Sequence, residues 1–270
     1  MDLVTVTCLR DIDDMIRQAE SIERFVDSCV HWVIVNDNNI NLFKEKLTPY
    51  YKNHCLHLVH LSNSILDNIN CGYRKQQMLK LYMANFLHDK YLVLDSKNFF
   101  IKNTNINEFK NQTGCGILEI VENDYLFYST VDQYKKLIQF DKKDNTYLAI
   151  QTPFVIDPAI LRSYDISDLL FKFSQIYPHM SEFFLYSLIY EKETKCNLVE
   201  DISKSMVKHY TAFEDRETID EIIKIATNPN TKVLAFHRNY LENISNNKIK
   251  VFNNFLSSAG LKNLLKEKNV

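Results

Sequence analysis

The sequence predicts an α/β protein, a mixed and mostly parallel sheet flanked by helices, followed by a helical C-terminal extension. Short apolar, β-branched runs alternate with helically spaced segments through the first hundred residues, the pattern of a doubly wound sheet. The run YLVL at residues 91–94 is followed at once by Asp95-Ser96-Lys97-Asn98, as where a buried strand meets the rim of such a sheet. Only 4 glycines and 5 prolines argue against a loop-rich β-sandwich and against long disordered linkers.

Residues 3–9 read as the first strand. Asp11 follows as a helix N-cap, with Asp14 near the positive end of the helix dipole. Ile12, Met15, Ile16, Ala19, Ile22 and Val26 keep helical spacing and form the core face. HWVIV, residues 31–35, is a second strand, and strand–helix–strand in so few residues makes a parallel βαβ unit. Residues 41–51 read as a helix, 55–61 as a third strand, and 62–70 as a polar loop.

The helix from Gly72 puts Tyr73, Gln76, Gln77, Lys80 and Ala84 on one face. Its other positions are mostly apolar, so the polar stripe needs partners, because an unpaired amide in an apolar medium costs roughly 2–7 kcal/mol. A ligand site shared with the strand end at Asp95 would supply them; a solvated face is the plainer alternative. Thr7, Arg10, Asp37 and Asp95 all fall at or just beyond strand ends, on one edge of the sheet.

Beyond residue 102 the pattern weakens. Residues 117–121 and 147–151 read as strands, and VDQYKKLIQF as helical. The two prolines of TPFVIDP, residues 152–158, suggest a rigid extended loop. Residues 160–176 read as one helix, and Pro178, His179, Ser181 and Glu182 stand at the start of the next. Residues 199–210 suggest a strand and turn, 215–226 a helix, and 233–236 a strand ending in His237-Arg238. Residues 1–240 then form the main domain and 241–270 an amphipathic helical extension. Lys248, Lys250, Lys262, Lys266 and Lys268 make that extension basic. It would gain about 1 kcal/mol per cation at an anionic bilayer surface, although capping the core is the simpler role.

The net charge of −2 gives no basic field to recruit nucleic acid. Six cysteines without a C-x-x-C pair suggest reduced thiols and no structural metal. The opening MDLVTVTCLRDIDD lacks the basic and long apolar regions of a cleaved leader, and no window is long and apolar enough to span a bilayer. The expectation is a soluble cytoplasmic protein, at most peripheral to the inner face of the membrane.

Asp95, Lys97, His237 and Arg238 beside a polar helix suit a pyrophosphate, since Arg offers a planar fork and Lys a point charge. No G-x-x-x-x-G-K-[ST] or G-x-G-x-x-G loop follows a strand, which disfavours P-loop and dinucleotide-binding enzymes. H-E-x-x-H and G-x-S-x-G are absent as well. A nucleotide-diphosphate ester bound at the sheet edge survives these exclusions.

The succession VTCLRDIDD, HWVIVNDN, GYRKQQMLKLYMANFLHDKYLVLDSKN, TPFVIDP, SEFFLY and FHR resembles bacterial glycosyltransferases of the GT-A type, above all those that build surface polysaccharides. The likeness spans residues 4–238, and the Q-Q-x-x-K helix followed by YLVLDSKN is its most specific part. It implies a Rossmann-like sheet and a nucleotide-sugar donor, UDP-linked in the simplest case. Thr7, Arg10 and Asp37 would hold base and ribose, and His237 and Arg238 would approach the diphosphate from the far side. Tyr73, Gln76, Gln77, Lys80 and Lys97 complete the donor set. Asp95 would stand at the first position of the D-x-D motif.

Where GT-A enzymes usually carry a second, metal-binding aspartate, this chain has Lys97, which removes a hard oxygen ligand and adds a repelling charge. The expectation is that no cofactor is required, with Lys97 neutralising the leaving diphosphate. Lys97 turned to solvent and Asp95 capping a turn is the bland alternative.

An inverting transfer needs a base for the acceptor hydroxyl. Glu182 is the candidate, with Asp95 as the second catalytic carboxylate and His179 and Asp157 in reserve, while a Ser followed by an acid at a helix start is also an ordinary cap. Thr152, Pro153 and His179 are the acceptor-side candidates, the acceptor being a polysaccharide or lipid-linked oligosaccharide. The D-x-K substitution keeps open a catalytically silent nucleotide-sugar-binding or scaffold subunit. A nucleotidyltransferase shares the architecture but would carry a glycine- and lysine-rich phosphate loop.

Overall fold

Strand β1 (Asp2–Thr7) is buried from Leu3 onward because it lies at the centre of the main sheet. The structure is a computed structural model that describes residues 1–61, 66, 69, 72–111, 117–119, 125–142, 146–148, 152–176, 181–195, 206–210, 218–262 and 265–267. On one side β1 pairs in parallel with β2 (Val30–Val35), which pairs in parallel with β3 (Cys55–Val59). On the other side it pairs in parallel with β4 (Tyr91–Leu94). Strand β8 (Phe154–Ile156) closes that edge antiparallel to β4, so the order among the described residues is β3-β2-β1-β4-β8.

The period-2 alternation of β1 sorts its side chains between two layers. Val4 and Val6 face the larger core with Met78 and Leu81 of α3 (Gly72–Tyr82) and Phe183 and Phe184 of α7 (Glu182–Thr194). Leu3 faces the opposite side with Ile22 of α1 (Ile12–Phe25). Met15 and Ala19 of the same helix pack on Val33 and Val35, beside Phe43 of α2 (Ile40–Leu47).

A second sheet starts where the first ends. Strand β5 (Asn98–Phe100) follows the turn after β4 and pairs antiparallel with β10 (Val233–Phe236), which pairs in parallel with β9 (Val207–Tyr210). The free edge of β5 is covered by α1, with Phe100 N–H donating to Ser21 Oγ at 3.1 Å. Strands β6 (Ile117–Glu119) and β7 (Thr146–Leu148) form an antiparallel pair, with α4 (Tyr125–Ile138) between them in sequence.

Several expectations are corrected here. The stretch 152–158 contains strand β8, because Pro153 precedes the paired residues and Pro158 begins the next helix. Residues 160–176 are not one helix: α5 (Pro158–Leu161) stops, and Asp165 caps α6 (Ile166–Ser174) by accepting from Ser167 N–H and Asp168 N–H. The helix read at VDQYKKLIQF begins earlier, at Tyr125. Helix α8 (Ile219–Thr227) starts later than expected, at a capping box made by Thr218 and Glu221. The loop at 62–70 lies largely outside the described residues, as do Pro178 and His179.

Helix α9 (Arg238–Asn243) leads into α10 (Asn246–Ser258), whose Ile249, Phe252 and Leu256 pack on Tyr210 and Phe236. It ends at Gly260, whose φ of +84° suits glycine. The tail beyond is tied to α1: Lys262 N–H donates to Glu20 Oε1 at 2.7 Å and Lys266 pairs with Asp13. Among the described residues no helix is long and apolar enough to cross a membrane.

A buried polar chain crosses the sheet beneath α1. Thr5 Oγ1 donates to Gln18 Oε1 at 2.8 Å, so His31 Nε2–H, at 2.9 Å, must donate to Thr5, while Nδ1 faces Tyr51 Oη at 2.5 Å. Burial, helped by His54, pushes the His31 pKa down from 6.5 to about 3, and burial brings His209 down to about 4. Both rings are neutral when folded and protonate below their unfolded value, so their stabilisation is present above pH 6.5 and lost on acidification. Between pH 6.5 and about pH 4.5 each should cost about 2 kcal/mol. Urea unfolding across that range should show the loss, and the pH slope should flatten by about half in His31→Leu.

Candidate active site

The chain leaves the main sheet at Asp95 and enters the second sheet at Asn98, and the turn between them is held on every side. Asn98 N–H donates to Asp95 C=O at 2.9 Å, and Asp95 N–H donates to Asn98 Oδ1 at 2.9 Å. Gln18 Nε2, reaching from α1, donates to the carbonyls of Asp95 (2.6 Å) and Asn98 (3.1 Å). The side chains of Asp95 and Lys97 leave this turn toward different partners, and two charged clusters result.

The first cluster surrounds Asp95. Lys80 Nζ lies 2.9 Å from Asp95 Oδ1 and 2.9 Å from Glu182 Oε1, and Thr152 Oγ1 donates to Asp95 Oδ2 at 2.9 Å. The Lys80 and Glu182 side chains are 6% and 3% exposed, whereas that of Asp95 is 45% exposed and forms the open side of the cluster. Burial alone would push the Asp95 carboxyl up, but Lys80, Thr152 and Lys97 outweigh it and hold the group below the usual range. Burial likewise works against the Lys80 charge, and Asp95 and Glu182 more than restore it.

Local sequence explains how three elements meet there. Lys80 is one turn beyond Gln76 on the helix stripe expected from spacing, and Ser181 caps α7 by accepting from Phe184 N–H at 3.4 Å, which sets Glu182 in the first turn. Ser181 N–H is itself fixed by Tyr134 Oη at 2.7 Å. Ser181 is therefore the cap, while Glu182 pairs with Lys80 in the cluster around Asp95.

The second cluster surrounds Lys97. Its ammonium pairs with Asp11 Oδ1 at 3.2 Å and Asp14 Oδ2 at 3.3 Å. Arg238 also pairs with Asp11, and Arg17 with Asp14. Asp11 occupies the N-cap position as expected, but its side chain makes no capping bond because it is engaged in these pairs. A cleft of about 470 Å³ opens beside them, lined by the cations Arg10, Arg17, Lys97, Arg238 and Lys266 and the acids Asp13, Asp14 and Glu242. Lys97 is buried, not turned to solvent.

His237 caps α9, its Nδ1 accepting from Asn239 N–H at 3.2 Å, which leaves Nε2–H as a donor. Burial lowers its pKa; Asp95 opposes that, while Lys97 and Arg238 reinforce it. Asp95 also acts on His209, paired in register through Ala235 with Asn98. Asp95, Lys97, His237 and Arg238 are thus in one neighbourhood.

The remaining candidates lie along the rim. Thr7 is buried and its carbonyl accepts from Asn36 N–H. Asp37 joins two rim loops, accepting from Leu9 N–H at 2.7 Å and Asn39 N–H at 3.1 Å. Gln76 Nε2 donates to Val6 C=O at 2.8 Å, Gln77 is buried, and Tyr73 is 64% exposed. Arg10 is exposed at the cleft, Pro153 is buried beyond a cis peptide bond from Thr152, and His179 lies outside the described residues.

Sequence reasoning passed over Gln18, Asn98, His209, and Asp11 and Asp14 as partners of Lys97. The signal for the last two was a pair of acids three residues apart at a helix start, which has the same spacing as an ordinary cap. Among the described residues no group of three His, Cys, Asp or Glu side chains is arranged to hold a metal ion.

A parallel-rich sheet with helices on both faces, an acidic turn at the rim of β4 and a short second sheet beside it define the GT-A type of fold implied by the sequence resemblance. The chain belongs to the family of unknown function DUF6492, which matches residues 1–198. Among solved structures it is similar to mouse xyloside xylosyltransferase 1, at 11% identity and a TM-score of 0.50 over 88% of this chain and 98% of that one. It is also similar to the bifunctional glycosyltransferase WbbM, at 11% identity and a TM-score of 0.52 over 93% of this chain and 51% of that one. At such identity the likeness speaks of the fold. No curated protein matches the chain.

Lys97 balances two partly buried carboxylates, so Lys97→Met should destabilise the protein by about 2–4 kcal/mol. Exposed Arg10 should change stability by less than about 0.5 kcal/mol when truncated to Ala. Urea unfolding of the two variants at neutral pH measures the contrast.

Proposed function

We propose that this protein is a glycosyltransferase that moves a hexose from a nucleotide-diphosphate sugar, UDP-linked in the simplest case, to a polysaccharide or lipid-linked oligosaccharide acceptor with inversion. The observation that carries this reading is the Asp95–Lys97 turn, which sets Asp95 beside the Lys80–Glu182 pair and Lys97 on the wall of a cleft that Arg10 and Arg238 also line. A transferase of this kind needs both at once, a base for the acceptor and cations for the leaving diphosphate. The similarity of the fold to known glycosyltransferases supports glycosyl transfer in general.

In the reaction, Glu182 accepts the proton of an acceptor hydroxyl as that oxygen bonds to the anomeric carbon. The bond from that carbon to the β-phosphate oxygen breaks, and its electron pair leaves with the nucleoside diphosphate. Lys80 holds Glu182 Oε1, so the second carboxylate oxygen is the one offered to the acceptor. Arg238 meets the developing charge with a planar fork, and His237 contributes a neutral donor through Nε2. Thr7, Arg10 and Asp37 are assigned to the base and ribose, Tyr73 to the donor, and Thr152, Pro153 and His179 to the acceptor. A lysine in place of the second D-x-D aspartate favours a reaction that needs no divalent metal. The cations of the C-terminal segment suit work at the inner surface of a membrane.

Release of nucleoside diphosphate from a panel of UDP-, GDP- and dTDP-sugars, and of CMP from CMP-sugars, tests the activity. Glu182→Gln should lower turnover by roughly 10²–10⁴-fold while nucleotide affinity in calorimetry stays within about twofold, because the amide oxygen still accepts from Lys80. Turnover at the wild-type rate in that variant removes Glu182 from the mechanism. Tight nucleotide binding with no release from any donor points instead to a silent binding subunit.

A further inference from the structure

The carboxylate that the resemblance puts first in the D-x-D motif already has a cation beside it. Lys80 Nζ is 2.9 Å from Asp95 Oδ1, 2.9 Å from Glu182 Oε1 and 5.0 Å from the centre of the Phe183 ring. A lysine with 6% of its side chain exposed has little freedom to leave, and departure would strand the buried Glu182 charge. The second acidic position is Lys97, itself neutralised by Asp11 and Asp14. Mn²⁺ and Mg²⁺ need hard anionic oxygens free to coordinate, and here one oxygen of each nearby carboxylate is held by an ammonium. The residues present therefore do not fit the divalent ion usual in this fold.

We infer that Lys80 is the resident cation of the site, a positioning residue that holds Asp95 and Glu182 together and excludes a divalent metal by occupying one oxygen of each. The elements it joins explain why the side chain must be long and singly charged. Helix α3 lies against β1 and α7, and Lys80 spans from it to the end of β4 on one side and the first turn of α7 on the other. Without that ammonium, two carboxylates from different elements would share one small space, the arrangement that attracts a hard cation. The use made of Glu182 rests on the proposed transfer; the exclusion of metal does not.

The test uses the full chain and Mn²⁺ alone, with free Mn²⁺ followed by electron paramagnetic resonance. Wild type and Asp95→Asn should take up Mn²⁺ equally, showing that Asp95 is not a ligand. Lys80→Ala should bind Mn²⁺ at least about tenfold more tightly than wild type, through the two carboxylates it releases, and Lys80→Ala/Asp95→Asn should lose that gain. Mn²⁺ uptake by wild type that depends on Asp95 overturns the inference, as does folded Lys80→Ala with unchanged affinity. If Lys80→Ala does not fold, the comparison of wild type with Asp95→Asn decides. None of these readouts requires turnover, so their failure leaves the transferase reading standing, and absent turnover leaves the Lys80 inference standing.

Discussion

The ammonium of Lys80, held between Asp95 and Glu182, is the contact on which the rest of this site depends. It joins a helix and the strand end 15 residues on to a second helix 102 residues away in the sequence. Three further features align with it. Thr152 can donate to Asp95 only because β8 runs back along β4, Ser181 sets the height of Glu182 above the core, and Phe183 lies beneath the ammonium. Stability and site geometry are therefore the same set of interactions, since a charge this buried is tolerated only with its partners in place.

The turn from Asp95 to Asn98 divides the molecule in a second sense. Before it the chain belongs to the main sheet, and after it to the small sheet that carries His209 and leads into His237. Gln18 of α1 grips both carbonyls of the turn, while Asp11 and Asp14 at the start of the same helix take Lys97. One helix thus fixes the backbone of the turn and one of its two charges, and the helices on the opposite face of the sheet fix the other.

Much of this was legible in the sequence. The strands at β1, β2, β4 and β10 are short, apolar and bounded by polar residues, so their ends marked the rim where Asp95 and His237 sit. The helix spacing of Gln76, Gln77 and Lys80 identified a polar stripe, of which Gln77 and Lys80 are buried and Gln76 is half-buried, and each finds a different environment. Strand β8 was hidden because prolines flank it, and β5 because three residues carry no usable period. The pairing of Lys97 with Asp11 and Asp14 was not legible. Acids at a helix start satisfy the dipole whether or not a distant lysine reaches them, and no periodicity marks a contact across more than eighty residues of chain.

The two clusters are also consistent with each other in charge. Lys80 stands against Asp95 and Glu182, while Lys97, Arg17 and Arg238 stand against Asp11 and Asp14. The first group leaves a carboxylate in excess and the second a cation. The excess of each sign lies on its own side of one rigid turn, and Lys97 still helps to hold Asp95 ionised across it. Charges coupled this closely do not act independently, and the effect of changing one depends on which others remain. Replacing Lys97 by aspartate would therefore change the second cluster and leave the first as it is. It would set a third carboxylate beside Asp11 and Asp14 while Lys80 still occupied Asp95. The departure from the D-x-D pattern is thus part of a charge arrangement spread over α1, α3, the rim of β4 and α7.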